Sequence, residues 1–186
     1  MVEFYYVEVS CVNVINLKKY LKNMKAVIQR VTSASVTVDD KVISSIGNGL
    51  CILIGITRGD TLADMKVKKI LNIKVFENDN KKWSASVMDK QYEILCISQF
   101  TLYHVLKGNK LDFHRAMPAQ ESEPFYKNFL NELGKNYKPE LIKDGIFGAM
   151  MQVSIQNNGP VTLEIESPIK PVKDSTEKLD KNDSAE

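Results

Sequence analysis

Leu50-Cys51-Ile52-Leu53-Ile54-Gly55-Ile56 is an unbroken apolar run, entered through the turn Gly47-Asn48-Gly49. A run of this length behind a turn predicts a central strand buried on both faces. Gly and Asn suit the turn because both tolerate positive φ. Upstream, Val27, Val31, Val36 and Val38 lie in β-branched stretches with polar residues between them, and Ile43 to Ile46 reads as a second short strand. Downstream, Asp60 or Thr61 is placed to cap an amphipathic helix running from Leu62 to about Asn72. Ile73 to Phe76 reads as a short strand, and Glu77 to Lys82 as a polar loop. Glu93-Ile94-Leu95-Cys96-Ile97-Ser98-Gln99 is another buried strand with a polar end. Residues 103–118 read as a loop. A second helix is expected over 121–136, with Phe125, Phe129, Leu130 and Leu133 on one face and Pro124 in its first turn. Met150 to Ile155 and Val161 to Ile165 read as two strands joined by a hairpin turn. Strands outnumber helices, so the fold class is α+β: a mainly antiparallel sheet with two main helices.

The chain has 186 residues, 44% of them hydrophobic and 26% charged, with a formal net charge of only +2. That is the balance of one ordinary globular domain, and nucleic-acid contact would have to come from local Lys/Arg patches. Cys11, Cys51 and Cys96 are too few and too scattered for a disulfide framework, which suits a reducing, cytoplasmic setting. No apolar stretch reaches the roughly 20 residues a membrane helix needs. Residues 1–23 carry their lysines after the apolar part, an order unlike that of a secretory signal. They are read as an N-terminal extension, an added strand or disordered, before a domain spanning 24–168. Residues 169–186 are read as a disordered charged tail.

Two constellations stand out chemically. Ser98-Gln99-Phe100-Thr101 closes a buried strand, where hydroxyl, amide and backbone N–H groups can build an oxyanion pocket. The plain alternative is a strand end with Ser and Thr capping a turn. Asn157-Asn158-Gly159-Pro160-Val161-Thr162 holds a Gly-Pro bond that can be cis, against the plain alternative of a hairpin turn. His104 and His114 lack the paired carboxylates a metal site needs, so no metal and no cofactor is expected. A Cys96–His nucleophile is the third reading, disfavoured by the apolar strand around Cys96. Trp83 is read as a core or loop anchor. The clusters Lys66/Lys68/Lys69 and Lys107/Lys110/Arg115 are solvated faces or phosphate contacts.

Met24-Lys25-Ala26-Val27-Ile28-Gln29-Arg30-Val31, Ser98-Gln99-Phe100-Thr101-Leu102, Lys107-Gly108-Asn109-Lys110, Asp112-Phe113-His114 and Asn158-Gly159-Pro160-Val161-Thr162 occur together in this order. In this the chain resembles the D-aminoacyl-tRNA deacylase (D-Tyr-tRNA(Tyr) deacylase) family over about residues 24–168. Val87 to Cys96 is similar to its animal branch. The resemblance implies a carboxylic ester hydrolase that removes D-amino acids, and also mischarged glycine, from tRNA as a proofreading step in translation. It implies a homodimer of β-barrel-like subunits, each inserting a cis Gly159-Pro160 into the other's site. By the same resemblance Ser98, Gln99, Phe100 and Thr101 form the catalytic pocket. Gly159, Pro160 and Asn158 form the chiral selector, held by Arg30. Asn158 departs from the Asp of many relatives; it keeps the turn-forming role and loses a charge.

A selector of this kind works through rigid main chain around Cα, since a pocket that accepts many side chains discriminates poorly. Backbone carbonyls would take the substrate ammonium, a D side chain would point to solvent, and an L side chain would clash. The N–H groups of Phe100 and Thr101 are the oxyanion donors expected, and the terminal 2′-hydroxyl of the tRNA is a candidate assistant. Thr101 as nucleophile is less favoured, because no base adjoins it. The rival from another class is a non-catalytic nucleic-acid-binding module that works through its lysine clusters and tail.

Overall fold

The computed structural model describes residues 23–167. The expected extension through Lys22 and the tail from Pro168 lie outside the described residues. The longest element, β1 (Asn23–Val38), is met along its whole length by β10 (Gln152–Ser167), antiparallel. On its other side β1 pairs with β3 (Gly49–Gly55) over the first half and with β2 (Lys41–Ile46) over the second. Beyond β3 come β6 (Glu93–Ser98) and β9 (Ile142–Asp144), and both of these pairings are parallel. The expected α+β sheet is therefore present and nearly closed on itself. Three antiparallel pairings are joined by two parallel ones, which no local sequence signal marked.

The apolar run at β3 serves two cores. Leu50, Ile52 and Ile54 join one cluster, with Ile94 and Cys96 from β6; Cys51, Leu95 and Ile97 belong to a second. Alternate residues of a strand point to opposite faces, so a strand buried on both faces must be apolar throughout. In β1 the buried positions Met24, Ala26 and Ile28 give way to Val31, Ala34 and Val36. The alternation slips where the register against β10 shifts, between Gln29 and Ser33. Such bulges bend a strand, which here carries β1 from the first cluster to the second.

Three helices cover the first cluster: α1 (Val67–Asn72), α2 (Val87–Lys90) and α3 (Ala119–Asn136). Helix α3 buries Tyr126, Phe129 and Leu133, at the spacing of an apolar helical stripe. Truncating Phe129 to Ala would cost about 3–5 kcal/mol. Pro118 rather than a hydroxyl residue precedes α3, and Pro124 sits in its second turn, not its first. The expected helix from Leu62 to Asn72 is split into a 3₁₀ turn at Leu62–Asp64 and α1. Asp60 does not cap it; its carboxylate accepts from the N–H groups of Met24 and Thr57, tying β1 to the end of β3. The short helix α2 has a complete capping box, Ser86 with Asp89, and hydrogen bonds from Ser86 hold the Asp89 carboxyl below its usual range.

Other expectations shift. The strand expected at Ile73 to Phe76 lies later, as β4 (Phe76–Asn78), and with β5 (Lys81–Ala85) makes a hairpin of the expected polar loop. Asp79 and Asn80 take the positive φ that a two-residue hairpin turn requires. The 103–118 loop contains a hairpin, β7 (Val105–Lys107) and β8 (Lys110–Asp112), turned at Gly108. The turn at 47–49 forms without positive φ. Gly49 is required instead by a close approach, because an added Cβ would overlap the backbone carbonyl of Glu93.

Candidate active site

Polar groups collect where β6 ends. Gln99 leaves the strand with its N–H donated to the Ile54 carbonyl at 2.7 Å, and Phe100–Tyr103 turns as a 3₁₀ helix. Gly55 allows this turn to lie against β3: a Cβ there would sit 2.9 Å from Leu102 Cβ and 3.1 Å from the Tyr103 ring. The turn ends the alternation of faces that a strand would impose on Ser98 to Thr101. Ser98, Gln99 and Phe100 all line one cleft of about 820 Å³. Thr101 does not line it; its Oγ1 accepts from Gln99 Nε2 at 2.5 Å. The first N–H groups of a helix have no partner inside it. Those of Phe100 and Thr101 donate to no acceptor among the described residues, while Leu102 and His104 bond back to Gln99 and Thr101. The Phe100 donor belongs to a residue that lines the cleft and the Thr101 donor is next to it in the chain; unspent N–H groups of this kind can serve an oxyanion.

The opposite wall comes from the 146–151 connection, with Phe147, Gly148, Ala149 and Met150, and from Met117 to Ala119 ahead of α3. Phe100 is 56% exposed at the rim, with its ring edge-on to Phe113 at 5.0 Å. Met150, 92% exposed, is the most open apolar residue described. Phe113 lies in the Asp112-Phe113-His114 motif, but neither Phe147 nor Met150 carried one, because an aromatic or Met outside a motif reads as packing.

The second constellation lies elsewhere. Gly159-Pro160 is cis and exposed, and it is not the turn of a hairpin. Asn157 pairs with Val31 and Thr162 with Gln29, so residues 158–161 are looped out of one continuous strand that stays on β1. Asn157 staples the loop: its Oδ1 accepts from Val161 N–H at 3.0 Å, and its Nδ2 donates to Thr162 Oγ1 at 3.0 Å. Arg30 grips it from β1, with Nε donating to the Asn158 carbonyl at 3.2 Å and Nη1 to the Val75 carbonyl at 2.5 Å. Trp83 is 56% exposed, so it is not core; its ring lies 5.6 Å from the guanidinium carbon of Arg30, the residue that holds the loop. Gly159 has φ +120°, and a Cβ there would lie 2.9 Å from Arg30 Nη2.

The two constellations do not meet within one chain. Ser98 pairs with Ile54 and Ile54 with Ala26, whereas the loop faces Arg30. Three strand spacings across and four residues along β1 separate them by on the order of 20 Å. Neither Gly159 nor Pro160 lines the cleft.

The thiol reading fails on burial. Cys96 is fully enclosed, and desolvation pushes its thiol far above the range where a thiolate forms; Cys51 is raised to about 11 by the same cause. His104 and His114 bond instead to the Thr101 carbonyl and to Asp112. Among the described residues no three of His, Cys, Asp and Glu converge as metal ligands. No helix is long and apolar enough to cross a membrane.

Comparison with known proteins gives one consistent result. The family described as D-Tyr-tRNA(Tyr) deacylase matches residues 27–166. The chain is 64% identical to human D-aminoacyl-tRNA deacylase 1 over 148 residues, covering 78% of this chain and 71% of that one. It is 53% identical to the Drosophila melanogaster D-aminoacyl-tRNA deacylase over 160 residues, 85% of this chain and 100% of the other. Among solved structures, the c-Myc DNA Unwinding Element Binding Protein is 64% identical, with a TM-score of 0.75 over 77% of this chain and 99% of that one. A probable eukaryotic D-amino acid tRNA deacylase, 16% identical over 77% of this chain and 98% of its own, shares the fold with a TM-score of 0.67.

Proposed function

Because this chain belongs to the D-Tyr-tRNA(Tyr) deacylase family, we propose that its cleft at Ser98–Thr101 and its Gly159-Pro160 loop are two halves of one active site, joined in a homodimer. The chain is a hydrolase that deacylates D-aminoacyl-tRNA, as its relatives do. The rival reading, a non-catalytic nucleic-acid-binding module, is not favoured by these likenesses.

The observation that carries the proposal is the separation of the two constellations. An exposed loop, braced by Arg30, Asn157 and Trp83, places neither Gly159 nor Pro160 in the lining of the cleft of its own chain. A loop so fixed by side chains, yet touching nothing of its own cleft, suits insertion into a second copy. There its backbone oxygens would receive the α-ammonium of the substrate in charge-assisted bonds, fixing Cα. A D side chain then leaves toward solvent, and an L side chain meets the wall. Glycine has no side chain to reject, so glycyl-tRNA would be cleaved as well.

At the ester, the N–H groups of Phe100 and Thr101 would stabilise the oxyanion, and a water would attack. Gln99 donates to Thr101 Oγ1, and among the described residues no histidine or carboxylate bonds to that hydroxyl, so nothing described activates Thr101 as a nucleophile. The terminal 2′-hydroxyl of the tRNA is the assisting group that remains. The reaction would run in the cytoplasm, in the domain over 24–168, with 1–23 and 169–186 as appendages. The direct test is deacylation of matched D- and L-aminoacyl-tRNAs. Rapid release from the D ester with the L ester left intact is expected. Equal release from both would remove the selector, and no release would remove the enzyme.

A further inference from the structure

The hairpin β7–β8 runs directly into Phe113, Ala116 and Met117 of the cleft wall and carries an electrostatic arrangement that deacylation does not use. It is fixed at several points. Phe113 packs on Phe100, and the Arg115 carbonyl accepts from Thr57 Oγ1 at 2.7 Å and from Arg58 N–H at 3.2 Å. Met117 N–H donates to the Ile56 carbonyl at 3.0 Å. At its tip Lys107 and Lys110 are directly opposed across the strands. Like charges in that position disfavour the hairpin. Asp112 answers only one of them: it forms an ion pair with Lys107, while its other oxygen takes His114 Nδ1 at 2.5 Å and His114 N–H at 2.9 Å. The hydrogen bonds from Lys107 and then His114 hold the Asp112 carboxyl far below its usual range.

Lys110 Nζ, His114 Nε2 and the Arg58 guanidinium at the lip of the cleft have no partner among the described residues. Four basic residues and one acid thus gather at this edge, in a chain whose whole formal charge is +2. The substrate must thread its 3′ end past the same edge, with a negative charge at every phosphate.

Resting on the deacylase reading, we propose that Lys107, Lys110 and His114 form a track for the sugar–phosphate backbone of the tRNA 3′ strand, continued into the cleft by Arg58. The opposed lysines are relieved when a phosphate lies between them. Asp112 fixes the His114 ring so that Nε2 faces outward as a positioned polar contact, as carboxylates do for other working histidines. This is a binding surface for the polyanion and not part of the chemistry.

The experiment compares two substrates: D-tyrosyl-tRNA and the same amino acid esterified to adenosine alone, which lacks the track's phosphates. Lys110→Gln is the leading variant, because its side chain supports nothing in the fold. His114→Gln is the second. Each is expected to raise KM for D-tyrosyl-tRNA roughly fivefold with kcat held, and Lys110→Gln, which alone removes a full charge, also to lower the salt dependence of binding by about 0.7 in the log–log slope. KM for D-tyrosyl-adenosine should stay where it was. Equal KM shifts for both substrates, or none for either, would overturn the track. Loss of kcat on the adenosine ester in His114→Gln would also overturn it, by giving His114 a chemical role. Failure of the underlying reading would look different: the unaltered chain would release nothing from D-tyrosyl-tRNA.

Discussion

Arg30 shows how much one side chain can be asked to do. Its guanidinium spans the Asn158 carbonyl, the Val75 carbonyl and the face of Trp83, so three distant segments share one planar group. Lysine cannot reproduce that fork. Arg30→Lys is expected to lower kcat/KM on D-aminoacyl-tRNA by about ten- to a hundredfold, the scale of an ångström-sized misplacement. The melting temperature should move little, since Arg30 is only half-buried and Lys keeps its charge; a large drop would make its role structural instead. Thr101 calls for the opposite outcome. Thr101→Ala is expected to keep most of the deacylation rate in single-turnover measurements, because the backbone N–H survives the change. A lost nucleophile would instead cost on the order of a millionfold. The residues of both constellations were legible in the sequence as Ser98 to Thr101 and Asn157 to Thr162. Their supports were not. Trp83 and Val75 meet Arg30 only through tertiary packing, and no spacing rule connects positions so far apart.

At the level of elements, local signals worked where the cause was local. The run at β3, the polar end of β6 and the apolar stripe of α3 follow from periodicity, and all three are present. Errors arose where a long-range contact took over a local group. Neither Asp60 nor Thr61 caps α1, whose N-cap position is Lys66; the Asp60 carboxylate instead takes the N–H groups of Met24 and Thr57. The expected hairpin at Asn157 to Pro160 is a loop within one strand, because β1 is long enough to pair on both sides of it. The hairpin β7–β8 was read as loop because Leu106 and Leu111 are exposed and give no core pattern. The parallel pairing of β3 with β6 was silent too, and it rests on a glycine. At Gly49 even one methyl group would strike the Glu93 carbonyl and push the two strands apart. Gly49→Ala is therefore expected to destabilise the fold by about 1–3 kcal/mol, the usual cost of overpacking a rigid site. Urea denaturation read by circular dichroism checks this. An unchanged midpoint would mean that the β3–β6 junction yields without penalty.

For the whole molecule, the decisive question is whether one chain suffices. Neither Gly159 nor Pro160 lines the cleft, so if the two are halves of one site, as proposed, a monomer would hold both without joining them. A two-fold dimer meets the requirement, because an isologous interface delivers each loop to the other's cleft twice over. Complementation tests this with no knowledge of the interface. Gly159→Val should disable the loop, since a side chain there meets both a positive φ and the Arg30 guanidinium. Gln99→Ala should disable the cleft by removing an amide side chain that lines it between Ser98 and Phe100. Each variant alone is expected to be nearly inactive, yet still folded by circular dichroism. Unfolded together and refolded as a mixture, they should pair at random. A mixed dimer then holds one site with an intact cleft and an intact loop, and one with both damaged. Half the dimers are mixed and each has one working site of two, so about a quarter of the unaltered activity should return in a closed two-fold assembly. Full inactivity of the refolded mixture, with dimers present by light scattering, would mean that loop and cleft act within a single chain.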